Sequence, residues 1–146
     1  MITFLIRTGP PVIEEPGDLH PFIQYAKANA RAGSLNEVMV NYSCGVGLPD
    51  DDNDCKMVVD RGIDVYFKTR EQYPLKVVED VGKHPFIEHV RTAPKDMPLS
   101  IVLQSYTQIN SYNAFPNDSN LAKAIIDKGV KAYFARKEGG SDRALY

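Results

Sequence analysis

The chain writes one pattern twice. His20-Pro21-Phe22-Ile23 returns as His84-Pro85-Phe86-Ile87, and Val58-Val59-Asp60-Arg61-Gly62-Ile63-Asp64-Val65-Tyr66-Phe67 returns as Ile125-Ile126-Asp127-Lys128-Gly129-Val130-Lys131-Ala132-Tyr133-Phe134. Between these landmarks lie Val38-Met39-Val40-Asn41-Tyr42-Ser43 and its echo, Ile101-Val102-Leu103-Gln104-Ser105-Tyr106. An internal period constrains architecture more than any single residue does. Each copy holds about 65 residues and would bury only a marginal core alone, so the copies are expected to share one core. This gives a single domain over residues 1–146, with half-repeats near 1–68 and 69–136 and a tail over 137–146.

With 43% hydrophobic and 25% charged residues, the chain has the composition of an ordinary globular domain. A formal net charge of −2 provides no field that would draw it to nucleic acid or to an anionic membrane. The opening Met1-Ile2-Thr3-Phe4-Leu5-Ile6 carries no basic leader, and no run approaches the ~18 apolar residues of a membrane span. A cytoplasmic location is the resulting expectation. Two cysteines, Cys44 and Cys55, are too few for a disulfide scaffold and read as reduced thiols.

Punctuation by Gly and Pro divides the chain into alternating elements. Thr3 to Arg7 reads as a first strand that stops at Thr8-Gly9-Pro10-Pro11. His20-Pro21 and His84-Pro85 open helices, with Pro at the first helical position and His or Asp as the cap. Residues 37–43, 63–68, 99–106 and 130–136 read as four further strands, and Gly62 as the glycine that closes the helix before the third. Five strands alternating with helices predict an α/β fold: a mainly parallel, flavodoxin-like sheet with helices on both faces.

In such a sheet ligands bind beyond the carboxyl ends of the strands. That rule nominates Arg7, Thr8 and Gly9, then Gly45 and Gly47 beside Cys44, then Thr107 and Asn110. Cys44, at a predicted strand end between accessible backbone amides, is the candidate nucleophile. Gly45-Val46-Gly47 completes neither a dinucleotide fingerprint nor a phosphate loop, so no cofactor is assigned. The acidic run Asp50-Asp51-Asp52 with Asp54 lacks the spacing of a calcium loop and fits a helix cap better than a metal site. The histidines do not have zinc spacing.

Arg7-Thr8-Gly9-Pro10, the helix end Tyr25-Ala26-Lys27-Ala28-Asn29-Ala30-Arg31-Ala32-Gly33, Glu37-Val38-Met39-Val40 leading to Gly45-Val46, and Asp60-Arg61-Gly62-Ile63-Asp64-Val65 together resemble the DsrE and TusD type of sulfur-relay subunit. The likeness runs from Met1 to about Lys68. It implies a compact α/β subunit that assembles into small oligomers and, in sulfur-carrying members, a persulfide-accepting cysteine just after the third strand. Here that stretch reads Phe67-Lys68-Thr69-Arg70, without a thiol. The expectation is therefore a self-associating protein that binds a small ligand or a protein partner at its strand-end loops, with Cys44 as its thiol. The alternative is a non-catalytic structural protein that forms a homo-oligomer.

Overall fold

The computed structural model describes residues 20–43, 48–73, 75–76 and 80–137. Among them there is no strand. The described residues form six α-helices: α1 (Pro21–Asn29), α2 (Leu35–Ser43), α3 (Asp52–Thr69), α4 (Pro85–Thr92), α5 (Leu99–Asn110) and α6 (Ser119–Lys137). Two short 3-10 turns, Val81–Lys83 and Ser111–Asn113, join them.

This overturns the α/β expectation, and the reason lies in periodicity. A short apolar run fits a strand or a buried helix equally well, and its spacing decides. Leu35, Val38, Met39 and Tyr42 are all buried and fall at i, i+3, i+4 and i+7, as do Leu99, Val102, Leu103 and Tyr106. Those intervals place one face of a helix toward the core. The runs 37–43 and 99–106 are therefore α2 and α5. The matching register is one residue away from the sequence reading, with Tyr42 equivalent to Tyr106.

The third and fifth expected strands are the second halves of α3 and α6, each of which continues straight through its glycine. Gly62 and Gly129 do not end helices; they make room for a ring. A Cβ on Gly62 would lie 2.3 Å from Phe22 Cε2, and one on Gly129 would lie 2.2 Å from Phe86 Cε2. Only a residue without a side chain lets α1 lie so close on α3, or α4 on α6. The first expected strand, residues 3–7, lies outside the described residues.

The duplication thus persists as two three-helix halves with matching contacts. His20 and His84 cap α1 and α4 as the His-Pro order anticipates, each with its Nδ1 accepting an amide two residues on, at 3.0 Å. Phe22 meets Tyr42 at 5.0 Å between ring centroids, and Phe86 meets Tyr106 at 5.1 Å. An arginine at the end of each third helix donates to carbonyls at the end of the first: Arg70 to Ala30 at 2.7 Å, Arg136 to Val90 and to Ala93. Cations at helix carboxyl ends satisfy carbonyls that have no partner within the helix.

The halves also complete one another. The backbone N–H of Leu35, opening α2, donates to Ser119 Oγ at 3.1 Å, and that of Leu99, opening α5, donates to Asp52 Oδ1 at 3.0 Å. Ser119 and Asp52 are the first residues of α6 and α3, so each half caps a helix of the other. The Tyr66 hydroxyl lies 2.8 Å from the Gly33 carbonyl, to which it donates, and 3.1 Å from Ser119 Oγ. The Tyr133 hydroxyl lies 2.7 Å from the Met97 carbonyl and 2.9 Å from Asp52 Oδ2. Because the start of each long helix meets the far part of the other, α3 and α6 run antiparallel about a pseudo-twofold axis.

Candidate functional site

On that axis α3 and α6 leave a groove of about 360 Å³ between them. Its lining consists of four equivalent pairs: Lys56 with Lys123, Asp60 with Asp127, Ile63 with Val130, and Asp64 with Lys131. Ile63 and Val130 are buried and form an apolar floor. On each wall a lysine reaches the aspartate one turn on, Lys56 Nζ to Asp60 Oδ2 and Lys123 Nζ to Asp127 Oδ2, both at 2.6 Å. The i, i+4 spacing on one helix face brings each pair together. Asp64 is held by Arg61 at 3.0 Å and Lys68 at 3.2 Å.

Three lysines and three aspartates leave the lining without net charge. A shallow depression along the outer side of α3, lined by Asn53, Met57 and Arg61, shares Lys56, Asp60 and Asp64 with the groove and extends the same face. Met57 is 55% exposed there.

Of the groups that sequence reading nominated, Thr107 and Asn110 fall within the described residues, and neither lines the groove. Arg7, Thr8, Gly9, Cys44, Gly45 and Gly47 are outside the described residues. Thr107 and Asn110 belong to α5 and not to a strand-end loop; Thr107 Oγ1 is buried and donates to the Leu103 carbonyl at 3.0 Å, and Asn110 Nδ2 donates to the Tyr106 carbonyl at 2.9 Å. Both side chains are spent on carbonyls of their own helix. The acidic run behaves as a cap, with Asp51 Oδ1 accepting the Asp54 amide at 3.0 Å. Among the described residues no group of three or more His, Cys, Asp or Glu is placed to hold a metal ion.

Sequence reading passed over Asn36, a buried amide that donates to the Tyr112 carbonyl at 2.7 Å and accepts the Phe115 N–H at 2.9 Å. Its only signal was a polar residue on the apolar side of α2. It also passed over the Lys56/Asp60 and Lys123/Asp127 pairs, which the repeat itself could have exposed.

Two nucleophile types within the described residues, Cys55 and Ser105, sit in structural settings. Cys55 is fully buried, and burial followed by the Asp52 carboxylate pushes its thiol up to about 12, away from the thiolate that chemistry needs. His89 Nε2 is 3.0 Å from Ser105 Oγ, but Ser105 donates its proton to the Val102 carbonyl at 3.1 Å. With the hydroxyl proton on that carbonyl, it is the Nε2–H tautomer of His89 that completes the contact by donating to Ser105, the reverse of a base activating a hydroxyl. Burial lowers the His89 imidazole.

These buried groups set an alkaline limit. Burial pushes the Tyr106 phenol up to about 12 as well. Both groups are held neutral by the fold, so what they contribute is intact below their ordinary values of 9.0 and 10.0 and is lost as pH rises through about 12. The loss is on the order of 3 kcal/mol for each group at the top of that range. Circular dichroism is expected to show unfolding setting in above the ordinary thiol value, and Cys55→Ala to move its onset upward.

No family model matches the chain, and neither a curated protein nor a solved structure matches it. No described helix is long and apolar enough to cross a membrane.

Proposed function

We propose that the chain is a non-catalytic assembly module that pairs with a second copy of itself through the face formed by α3 and α6. One observation carries this reading. Away from the His-Pro starts, the identical polar residues that the two halves share outside the core are Asp51/Asp118, which cap α3 and α6, then Asn53/Asn120, Lys56/Lys123 and Asp60/Asp127, and the last two pairs converge on the axial groove. Elsewhere exposed positions of the halves have diverged, as at Glu37 and Ile101.

A lining with balanced charge offers a polyanion or a polycation no net attraction. A second copy brings the same alternation, so that lysine meets aspartate across an isologous contact without net repulsion. The groove alone is small against the ~800 Å² per partner of a standard interface. The outer side of α3, with the exposed thioether of Met57, supplies the remaining contact.

Sedimentation velocity is expected to show a dimer that grows with protein concentration and weakens with salt, because the contacts are ionic at their rim. Lys56→Glu with Lys123→Glu should weaken that dimer roughly tenfold or more while leaving helix content unchanged. A chain that remains monomeric over the whole accessible concentration range overturns the reading.

A further inference from the structure

The duplicated His-Pro-Phe-Ile start has a chemistry that the groove does not use. An imidazole at a helix N-cap is unusual, since Ser, Thr, Asp and Asn serve there with an oxygen that keeps its lone pairs across the physiological pH range. Here both caps are rings, in the same backbone conformation, φ −61° and ψ 137° at His20 and φ −66° and ψ 143° at His84. Each accepts through Nδ1, from Phe22 N–H and Phe86 N–H respectively, at 3.0 Å. A nitrogen that accepts must be unprotonated, so both rings are neutral with the proton on Nε2.

We propose that the two helix starts form an acid-sensitive latch, in which protonation of His20 and His84 breaks both caps and frees the first turns of α1 and α4 from α3 and α6. A proton on Nδ1 turns the acceptor into a donor facing another donor. It also places a cation at the positive end of a helix. The residue that loses its bond is in each case the phenylalanine seated on Gly62 or Gly129, followed by the buried Ile23 or Ile87, so the released turn is the one that clamps the long helix.

The titratable groups whose rings face the imidazoles are phenols. Tyr42 of α2 lies 6.4 Å from His20, and Tyr106 of α5 lies 6.4 Å from His84, whose other flank stacks on Phe115 at 6.2 Å. Burial pushes both phenols up, so they stay neutral under acid conditions. Lys83, Asp80 and Glu88, the charged residues closest to His84 in sequence, are all exposed, and the Asp80 carboxylate is engaged with the Gly82 amide at 3.0 Å. Burial is the cause that lowers both imidazoles, and no carboxylate among the described residues acts on either ring against it. Stability held by the neutral rings is thus full above the ordinary value of 6.5 and is lost as pH falls through the lower value that each ring has in the fold.

The test is nitrogen-resolved NMR of the intact chain. Both rings are expected in the Nε2–H form at neutral pH, and on acidification hydrogen-exchange protection at the Phe22 and Phe86 amides should fall roughly fivefold or more as the rings protonate. His20→Asn with His84→Asn keeps an acceptor that does not titrate, and should retain the fold and remove this step. His89→Gln, which takes away the third half-buried imidazole, should leave it in place. An Nδ1–H form at either cap, protection that does not follow ring protonation, or an acid step lost only in His89→Gln overturns the latch. The tautomer and protection measurements decide even if the double variant fails to fold.

Discussion

Gly129→Ala is expected to destabilise the protein by about 2–3 kcal/mol, and Gly62→Ala by a similar amount. The opposite sign would follow from helix propensity alone, since alanine in a helix interior is favoured over glycine by about 1 kcal/mol. Packing wins because of distance. The added methyl would sit 2.2 Å from Phe86 Cε2 and 2.7 Å from Cδ2, or 2.3 Å and 2.6 Å from the same atoms of Phe22, and a buried ring wedged between helices cannot swing aside. Denaturant unfolding measures the cost. Phe86→Leu in the Gly129→Ala background should recover part of it by vacating the contested space, and a single Gly129→Ala chain at least as stable as the parent would mean that the ring is not seated on α6.

Asp52→Ala is expected to cost about 2 kcal/mol, more than Ser119→Ala at about 1 kcal/mol, although the two residues occupy equivalent positions. Both remove the acceptor that caps a helix of the other half. Asp52 does more, because its Oδ1 takes the Leu99 amide while Oδ2 lies 2.9 Å from the Tyr133 hydroxyl and 3.7 Å from Lys137 Nζ. Its bonds are also charge-assisted, and Leu99 has no other cap, since Pro98 before it has no side-chain hydrogen bond to offer. Ser119 is a neutral hydroxyl, and Tyr66 keeps the Gly33 carbonyl when Ser119 is removed. A double-mutant cycle of Asp52→Ala with Tyr133→Phe should return a coupling near ~1 kcal/mol, with thermal unfolding as the readout.

The repeat was legible from the sequence; the kind of element that it repeats was not. Val38 to Ser43 and Ile101 to Tyr106 are rich in β-favouring residues, and only the addition of Leu35 and Leu99 reveals a helical stripe. Gly62 and Gly129 misled more deeply, because a glycine after an apolar run reads as a helix end when the ring that fills its notch comes from forty residues away. Such a contact has no local signature. The His-Pro helix starts and the Asp51 cap were readable, since capping is local and depends on residue type. The groove was not read at all. Lys56, Asp60, Lys123 and Asp127 look like ordinary surface ion pairs until the antiparallel course of α3 and α6 brings them to one axis.

The crosswise capping of α2 by Ser119 and of α5 by Asp52 has a corollary for cooperativity. A substitution at either position is felt first in the sibling copy, whose helix loses its acceptor. Neither three-helix half carries its full set of caps by itself, so the two are expected to unfold as one unit, and a chain cut between them to lose helix content in both fragments.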